Sequence, residues 1–589
     1  MFAWLCLLLV EASPAAELPP PDHPVLFIHG LNSNAKTWDQ LKSFLHDHGW
    51  LHGGDPKLEL GATPAGDSVS GVNSGDFYTM NMSDAGNDPP SQTLTFCQQG
   101  YEVAKVVEKI KSVKGSAKVI LVGHSMGGLA ARAYLEDFGA WDPSRSRLFQ
   151  HDVSQLITIG TPHLGSPLPT ILDEWPLAAA LAYLKHIHSN SVAVKALAED
   201  SDEIYQLNTR ALPPDVDYAS FIIDGTPIIL DGVRTGDGIV PVENQSMAPL
   251  EVPGDHEEVG IVIYPDGLFE TVVTKFITHT MEPEDLLVWS ELIQRITPSS
   301  GLPEDLQLRV VANPDPIRPG ECAELVYTVS NRGSTDFNSV ELRMMTPPGI
   351  HWTPSDAAPS PDNFSSLYYP GEVARWDLGT LPAGTSRTVV VSGTVDDGYY
   401  APPPDGALLP VTAMATADNG VSTADSAHLI VDYTSPLRVM LRGDRDPVQA
   451  GTRLKYVVSY GNPSTVSAPG TVLRVAVPKN TQLVSAEGGG VLPGGWVEWN
   501  LGTLGAGRGG TRRMTVNIDQ GLPAGTLITG GAKITESGTG AMALAESTTS
   551  VNNDPKLHLQ VAAMPNPVRP GEQVEMTFTL SNPTALDLA

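Results

Sequence analysis

The sequence contains little cysteine and little positive charge. Its 589 residues include three cysteines, Cys6, Cys97 and Cys322, which lie far apart and show no metal-ligand spacing. Neither a disulfide framework nor a metal site is therefore expected, and nothing in the sequence calls for a cofactor. Lys and Arg total 36 against 67 Asp and Glu, so the net charge is −31. Such an acidic chain argues against nucleic-acid binding and against docking on anionic lipid through a basic patch.

Long hydrophobic runs are also missing. The apolar run of residues 1–10 is too short to cross a bilayer as a helix, and no other uninterrupted apolar segment is long enough. Its length, and the small residues Ser13-Pro14-Ala15 after it, are typical of a secretory signal peptide, although the usual Lys or Arg at the start is lacking. We therefore expect residues 1–16 to be a signal peptide and the protein to be secreted or held at the cell surface. A buried N-terminal strand is the alternative.

One stretch carries a clear chemical signal. An apolar strand, Val119 to Val122, runs into the turn Gly123-His124-Ser125-Met126-Gly127, and a helix opens at Met126. The turn fits G-x-S-x-G, in which a serine sits on a strained strand-to-helix elbow. The glycines are expected because side chains at those positions would collide with the neighbouring strand and helix. The helix N-terminus directs its free N–H groups at the same place, which suits an oxyanion.

Strands and helices alternate on both sides of this elbow. Residues 23–30 read as a short strand that ends in His29-Gly30, residues 101–113 as an amphipathic helix, and residues 155–160 as the next strand. This alternation predicts a mainly parallel sheet with helices on both faces. Ligands bind such sheets at the carboxyl ends of the strands, so His29-Gly30 and Ser125 are expected to share one site.

The same domain contains an unusually apolar, mostly helical segment from residue 168 to residue 212. It is expected either to pack on the sheet as an ordinary insertion or to cover the site as a cap that offers an acyl-chain surface. Its position after a strand end favours the cap.

A serine hydroxyl needs an imidazole to accept its proton and a carboxylate to orient that imidazole. After an elbow of this kind the acid and then the base follow in chain order. For the acid we choose Asp237, which lies between two glycines and precedes an apolar Ile-Val-Pro; the alternatives are Asp224 and Asp231.

For the base we choose His256, on a glycine-containing loop shortly after Asp237. The alternative is His279, which sits on an apolar segment. The oxyanion is expected to be bound by the backbone N–H groups of Met126, just after the serine, and of Leu31, just after His29-Gly30.

At this point the sequence resembles a known family. Four segments carry the resemblance: Pro-Val-Leu-Phe-Ile-His-Gly-Leu-Asn-Ser, Gly-His-Ser-Met-Gly-Gly, Gly-Thr-Pro-His-Leu-Gly-Ser and Gly-Asp-Gly-Ile-Val-Pro. Together they look like the α/β-hydrolase superfamily, in particular secreted bacterial triacylglycerol lipases and GPI-inositol-deacylase-like hydrolases. The resemblance covers roughly residues 22–296. It implies hydrolysis of carboxylic esters through an acyl-enzyme on Ser125, with Asp237 and His256 completing the triad, and an ester or lipid as the substrate. Some such lipases carry a structural calcium ion or a disulfide, and neither can be mapped onto this sequence.

The second half of the chain is a different kind of sequence. Gly (56) and Pro (50) are plentiful in the chain while aromatic residues make up 6%, which is typical of turn-rich β modules. The segment 313–320 recurs at 444–451 and at 564–571, and a Trp-x-Leu-Gly-Thr-Leu mark at 376–381 recurs at 499–504. A period of roughly 120–130 residues is the size of one β-sandwich. The third copy stops after two strands, too few to bury a core, so the chain is expected to be truncated or those strands to pair elsewhere.

These repeated segments and the change in composition predict the domain organisation of the chain. Residues 17–297 form the α/β-hydrolase domain, 298–305 a linker, 306–433 and 434–554 two β-sandwich repeats, and 555–589 a partial third. The repeats resemble the immunoglobulin-like repeats of unknown function in long bacterial surface proteins, which implies a stalk or attachment module. A secreted lipase or esterase is the leading hypothesis. The alternatives are an acyltransferase or amidase with the same triad, and an adhesin with a non-catalytic hydrolase-like domain.

Overall fold

The computed structural model describes the chain in fifteen segments: residues 17–87, 91–174, 187–225, 228–230, 232–250, 252, 256–263, 279–298, 305–347, 349–363, 371–398, 402–434, 436–553, 558–564 and 575–581. Several expectations fall outside them. These are the signal peptide of residues 1–16, the alternative acid Asp231, residues 175–186 of the predicted cap, residues 299–304 of the linker, and much of the third repeat.

The N-terminal unit alternates strands and helices as the sequence predicts. Its strands are β1 (Val25–Ile28), β2 (Lys57–Glu59), β3 (Ser68–Ser70), β4 (Phe77–Met80), β5 (Val119–His124), β6 (Ala140–Asp142), β7 (Arg145–Ser146), β8 (Val153–Ile159), β9 (Asp217–Asp224), β10 (Ile228–Leu230), β11 (Gly232–Arg234) and β12 (Glu257–Val262). Its helices are α1 (Asp39–Asp47), α2 (Phe96–Lys114), α3 (Met126–Leu135), α4 (Leu168–Glu174), α5 (Val192–Ala196), α6 (Asp202–Asn208), α7 (Val242–Gln245) and α8 (Leu286–Ile296). Four 3₁₀ turns lie at Ala35–Trp38, Pro64–Gly66, Ala248–Leu250 and Glu282–Glu284.

Six strands form one parallel sheet in the order β12-β9-β8-β5-β1-β4. Every neighbouring pair is parallel; Val25 of β1 lies opposite Ile120 of β5, and Glu257 of β12 lies opposite Ala219 of β9. The chain leaves β1 for β4 on one side and returns to β5 on the other. The order therefore reverses between β1 and β5, and a crevice opens there at the carboxyl edge.

Both faces of this sheet are covered. Successive residues of β1 alternate between two cores: Val25 and Phe27 pack with α1 and α8, whereas Leu26 and Ile28 pack with α2 and α3. Strand β1 is hydrophobic at every position because both of its faces are buried. Helix α2 starts at a reciprocal capping box that Thr95 and Gln98 form. The predicted α/β fold is confirmed.

After residue 305 the described structure is dominated by antiparallel strands. The first repeat contains β13 (Leu306–Asn313), β14 (Cys322–Asn331), β15 (Phe337–Met345), β16 (Ile350–His351), β17 (Ala357–Ala358), β18 (Val373–Leu381), β19 (Ser386–Val395), β20 (Leu408–Thr416) and β21 (Ser422–Ile430), with a 3₁₀ turn at Pro354–Asp356. The second contains β22 (Arg438–Gly443), β23 (Arg453–Asn462), β24 (Ala468–Ala476), β25 (Thr481–Ala486), β26 (Gly490–Leu492), β27 (Trp496–Leu504), β28 (Arg508–Ile518), β29 (Leu527–Thr535) and β30 (Met542–Ser550). Beyond them β31 (His558–Met564) and β32 (Glu575–Ser581) pair with each other.

Each repeat is a pair of sheets around one core, which fits immunoglobulin-like repeats. The repeated residues hold equivalent places. Trp376 and Trp499 are buried opposite Leu342 and Leu473. The Asn that ends β14 and β23 donates, in both repeats, a 2.9 Å hydrogen bond from its side chain to a backbone carbonyl at the end of β18 or β27.

The first sandwich packs directly on the N-terminal unit through α8. Ser422 Oγ donates a 2.8 Å hydrogen bond to the carbonyl of Ser290 on α8, and Met414 joins the core beneath α8. The Arg343 guanidinium lies 4.6 Å over the ring of Phe44. No helix in the described part of the chain has the length and apolar character that a bilayer crossing requires.

Candidate active site

Ser125 lies on a strained turn between β5 and α3. Its φ of 54° and ψ of −128° are a conformation that residues with a side chain rarely adopt. The flanking glycines are required sterically: a Cβ on Gly123 would lie 2.5 Å from the Cα of Gly128, and one on Gly127 would lie 2.5 Å from the carbonyl oxygen of Ile28. The turn can therefore form only because these glycines let the helix and the neighbouring strand approach closely, with no side chain between them.

A histidine contacts this serine directly. His279 Nε2 lies 2.8 Å from Ser125 Oγ, and both side chains are almost completely buried. On its other side, His279 Nδ1 lies 2.8 Å from Asp237 Oδ2. Serine, imidazole and carboxylate thus form one continuous hydrogen-bonded chain, the arrangement in which a serine hydroxyl can be deprotonated.

Asp237 is fixed in place by backbone and side-chain donors. Its Oδ1 accepts hydrogen bonds from the N–H groups of Ile239 (2.8 Å) and Val240 (2.7 Å) in its own tight turn. Gln245 donates to Asp237 Oδ2 at 3.2 Å and to the carbonyl of Ile223 on β9 at 2.9 Å. Gln245 therefore ties the aspartate turn to the edge of the sheet. The other described candidate, Asp224, instead accepts a hydrogen bond from the N–H of Gly225.

The structure corrects the choice of His256 as the base. His256 directly precedes β12, which runs parallel to β9, so it lies at the amino end of its strand. Ser125 follows the carboxyl end of β5 in the same parallel sheet, at the opposite edge. Six residues of strand separate those edges by roughly 20 Å. His256 Nε2 contacts Ser220 Oγ at 3.2 Å instead.

The signal that identifies His279 is its place after the last strand. Residues 257–262 carry a weak strand signal because β12 is an edge strand with mostly exposed side chains. Once β12 is identified, the only histidine that follows it within the N-terminal unit is His279, just before α8.

A second carboxylate, which the sequence analysis missed, also faces this histidine. Glu282 Oε1 lies 3.3 Å from His279 Nδ1, and Glu282 Oε2 lies 3.1 Å from His124 Nε2. Glu282 is fully buried at the end of β8, where a Cβ on Gly160 would come within 2.0 Å of its Oε2. In the sequence, the signal for Glu282 is that it lies three residues after His279.

These buried charges shift one another's titration. Burial alone would lower the pKa of His279, but the charges of Asp237 and Glu282 outweigh it and hold that pKa well above its usual value. Burial raises the pKa of Asp237, against the lowering effect of His279. Burial also opposes ionisation of Glu282, yet the charge of His279 and the hydrogen bond with His124 keep the pKa of Glu282 low. The imidazolium is therefore strongly stabilised between two carboxylates.

The two backbone groups expected to bind an oxyanion lie beside the serine. Met126 is the first residue of α3, and Gly30, just before Leu31, packs so closely that a Cβ there would be 2.7 Å from Ser125 Cβ. Among the described residues, the N–H groups of Leu31 and Met126 donate no hydrogen bond to another protein group. Both therefore remain able to stabilise negative charge next to Ser125.

His29, at the end of β1, holds this edge together. Burial lowers the pKa of His29 to about 4, so the ring is neutral. Its Nδ1 donates to the carbonyl of Gly30 at 2.9 Å, and its Nε2 accepts the N–H of Met82 at 3.3 Å. The ring thus ties the turn that carries Leu31 to the chain after β4.

A cavity of about 360 Å³ opens above Ser125 and His279. Its walls come from the turn after β1, from the Asp237 turn and from the 168–212 segment. The apolar lining residues are Leu31, Pro162, Leu168, Ile187, Leu197, Ile239 and Val240. The polar ones, besides His124, Ser125 and His279, are Asn32, Ser33, Thr37, Ser166 and Thr280. The predicted cap segment thus supplies three of the apolar lining residues, Leu168, Ile187 and Leu197.

Comparison with known proteins is consistent with this architecture. Residues 20–185 match the PGAP1-like alpha/beta domain family. The PGAP1-like range includes Leu31 and Ser125 and ends before Asp237 and His279, whose positions rest on the structure. A search of curated proteins finds no match.

Solved structures similar to the chain include the lin2722 gene product of Listeria innocua, with 16% identity over 44% of this chain and 88% of that one, at a TM-score of 0.28. The mature lipase BlEst2 of Bacillus licheniformis shows 18% identity over 49% of this chain and 97% of that one, at 0.29. Red sea bream transglutaminase shows 17% identity over 42% of this chain and 31% of that one, at 0.17.

Proposed function

We propose that this protein is a serine hydrolase that cleaves carboxylic esters, as lipases and esterases do. The observation that carries the proposal is the hydrogen-bonded chain Ser125–His279–Asp237, with 2.8 Å at each link. The PGAP1-like alpha/beta domain and the apolar cavity above Ser125 support it.

The reaction begins when neutral His279 accepts the proton of Ser125 Oγ at Nε2 while Oγ attacks the ester carbonyl. Asp237 holds the Nδ1–H and stabilises the imidazolium that forms. The N–H groups of Leu31 and Met126 bind the oxyanion of the tetrahedral intermediate, a contribution of 10²–10³ in rate per donor in comparable sites. His279 then gives its proton to the leaving alkoxide, and the alcohol departs from the acyl-enzyme.

Water completes the cycle. His279 accepts a proton from water as the oxygen attacks the acyl carbonyl, and the collapsing intermediate takes that proton back on Ser125 Oγ. A carboxylic acid is released and the serine is restored. The apolar walls of the cavity would hold the acyl chain, and burial of each methylene there contributes about 0.8 kcal/mol.

The proposal is tested with a fluorophosphonate probe and with p-nitrophenyl esters of increasing chain length. The wild-type protein should be labelled and should hydrolyse the esters, and Ser125→Ala should do neither. Absence of labelling on Ser125 would refute the serine-hydrolase proposal. Hydrolysis restricted to short esters would assign an esterase, and preferential transfer to an added alcohol or amine would assign an acyltransferase.

We further propose that the enzyme acts outside the cell and that the β repeats attach it there. The apolar residues 1–10, the net charge of −31 and the immunoglobulin-like repeats support this. Protease treatment of intact producing cells, with an immunoblot of cells and medium, tests it. Confinement of the whole protein to a protease-protected cytoplasmic fraction would contradict it.

A further inference from the structure

Two consecutive residues outside the triad connect the opposite walls of the cavity. Ser91 and Gln92 lie between β4 and α2 and are 0% and 1% exposed. Ser91 Oγ donates a 2.9 Å hydrogen bond to the carbonyl of Ser33, and Gln92 Nε2 donates at 3.2 Å to Asn32 Oδ1. Both bonds end on the turn that carries Leu31.

The same dipeptide also binds the apolar wall. Gln92 Oε1 accepts the N–H of His188 at 3.0 Å, and the Gln92 carbonyl accepts the N–H of Ala193 at 3.3 Å. These partners lie between Ile187 and Leu197, both of which line the cavity. A backbone N–H can only donate, so the oxygen of the Gln92 amide faces His188 and its NH₂ faces Asn32.

The turn that receives these bonds needs external support. Asn32 has a φ of 53°, in the left-handed region that a residue with a side chain seldom adopts. Ser91 itself has a φ of 52°. Strained backbone of this kind persists only where surrounding contacts over-determine it.

Those contacts include a second layer beneath the dipeptide. Asp84 accepts the N–H of Ser91 on its backbone carbonyl (3.2 Å) and the N–H of Thr93 on Oδ2 (2.9 Å). Glu102, on α2, accepts the N–H of Ser83 at 3.0 Å. Two buried acidic residues, Asp84 and Glu102, therefore organise the loop that delivers Ser91 and Gln92.

From this connectivity we infer that Ser91 and Gln92 are positioning residues that set the Leu31 amide against Ser125 and couple it to the 187–197 wall. The inference rests on the proposed function, because it assigns the Leu31 N–H to the oxyanion. Displacement of a reacting group by about 1 Å can cost about 10²-fold in rate, so small movements of this turn matter.

The first test compares Gln92→Met with the matched variant Gln99→Met. Methionine keeps the length and volume of glutamine without its hydrogen bonds. Gln99 is also fully buried, and in the described part of the chain its amide has no hydrogen-bond partner. We expect Gln92→Met to lower kcat about 10–100-fold with KM little changed, and Gln99→Met to retain wild-type kcat.

A positioning role also predicts weaker transition-state binding. The Ki of an alkyl boronic acid, which forms a tetrahedral adduct on the serine, should rise in Gln92→Met in proportion to the loss of kcat/KM. Equal losses of kcat in Gln92→Met and Gln99→Met, or an unchanged boronate Ki, would overturn the inference. If the wild-type protein itself hydrolyses no ester, the proposed function fails instead.

Amide hydrogen exchange of the full-length protein gives a readout that needs no activity. Gln92→Met should speed exchange in peptides covering both 31–34 and 187–197. Ser91→Ala, which removes only the bond to Ser33, should speed exchange in 31–34 alone. Unchanged exchange in 31–34 in both variants would overturn the inference, and Ser91→Ala keeps the test valid if Gln92→Met does not fold.

Discussion

Removal of the Glu282 charge should shift the pH dependence of the enzyme. Glu282 Oε1 lies 3.3 Å from His279 Nδ1, and at an effective dielectric constant of about 20 two unit charges at that distance attract by about 5 kcal/mol. One pKa unit corresponds to 1.36 kcal/mol, so this energy sets an upper limit of about 3–4 units. Because Asp237 remains beside the ring, we expect Glu282→Gln to lower the pKa of His279 by about 1–3 units.

The direction of the effect follows from the role of His279 as a base. Only neutral imidazole accepts the serine proton, and the charges of Asp237 and Glu282 raise the pKa of His279 and so favour the protonated ring. In Glu282→Gln the ring loses its proton at lower pH. The acidic limb of the kcat/KM profile should therefore move to lower pH by the same 1–3 units, with a small loss on the alkaline plateau because the base is weaker.

The assay is kcat/KM for a short p-nitrophenyl ester across the pH range, with Glu284→Gln as the control. Glu284 lies two residues away and accepts a hydrogen bond from Gln40 rather than contacting His279. The control should keep the wild-type profile. An acidic limb that stays in place, or moves to higher pH, in Glu282→Gln would refute the electrostatic reasoning.

Three further predictions follow from other residues of the site and its support. His279→Ala should lose activity by up to about 10⁶-fold in kcat, whereas His256→Ala should stay within tenfold of wild type; ester hydrolysis measures both, and the reverse order would contradict the triad. Gly30→Ala, whose Cβ would lie 2.7 Å from Ser125 Cβ, should lower kcat at least tenfold, and full activity in a folded variant would show that the turn can yield. Burial raises the pKa of Glu102 to about 8. The folded protein therefore holds a proton that the unfolded chain releases near pH 4.5. The free energy of unfolding should consequently fall as the pH rises from about 4.5 to about 8. In Glu102→Gln this fall should be smaller by about 3–5 kcal/mol, which urea unfolding at several pH values measures. If the free energy of unfolding depends on pH equally in the two proteins, Glu102 is not a buried neutral carboxyl.

The fold was predictable because its signals are local. The strand and elbow around Ser125 combine a continuous apolar run, three glycines and a helix start, and each element has a steric or dipolar reason that is visible in the sequence. The repeats were predictable because one asparagine and one tryptophan recur with the same structural task in both copies. The parallel sheet follows from the alternation of strands and helices and from central strands such as β1, which is apolar at every position.

The base could not be chosen correctly without the topology. His256 and His279 flank the same strand, and only the direction of β12 decides which of them reaches the carboxyl edge. That strand carries a weak sequence signal because it lies at the edge of the sheet. Glu282 was missed for a related reason: its contacts with His124 and His279 join residues up to 158 positions apart. Side chains that come together only when the chain folds leave no periodic pattern in the sequence.

The central claim is that Ser125 carries the acyl group during turnover. Rapid acid quenching of the wild-type protein during hydrolysis of a p-nitrophenyl ester, followed by peptide mass spectrometry, tests it directly. We predict a single acyl adduct on the peptide that contains Ser125, formed at the rate of the nitrophenol burst and absent in Ser125→Ala. Sustained nitrophenol release in Ser125→Ala, or an acyl adduct on another residue, would contradict it.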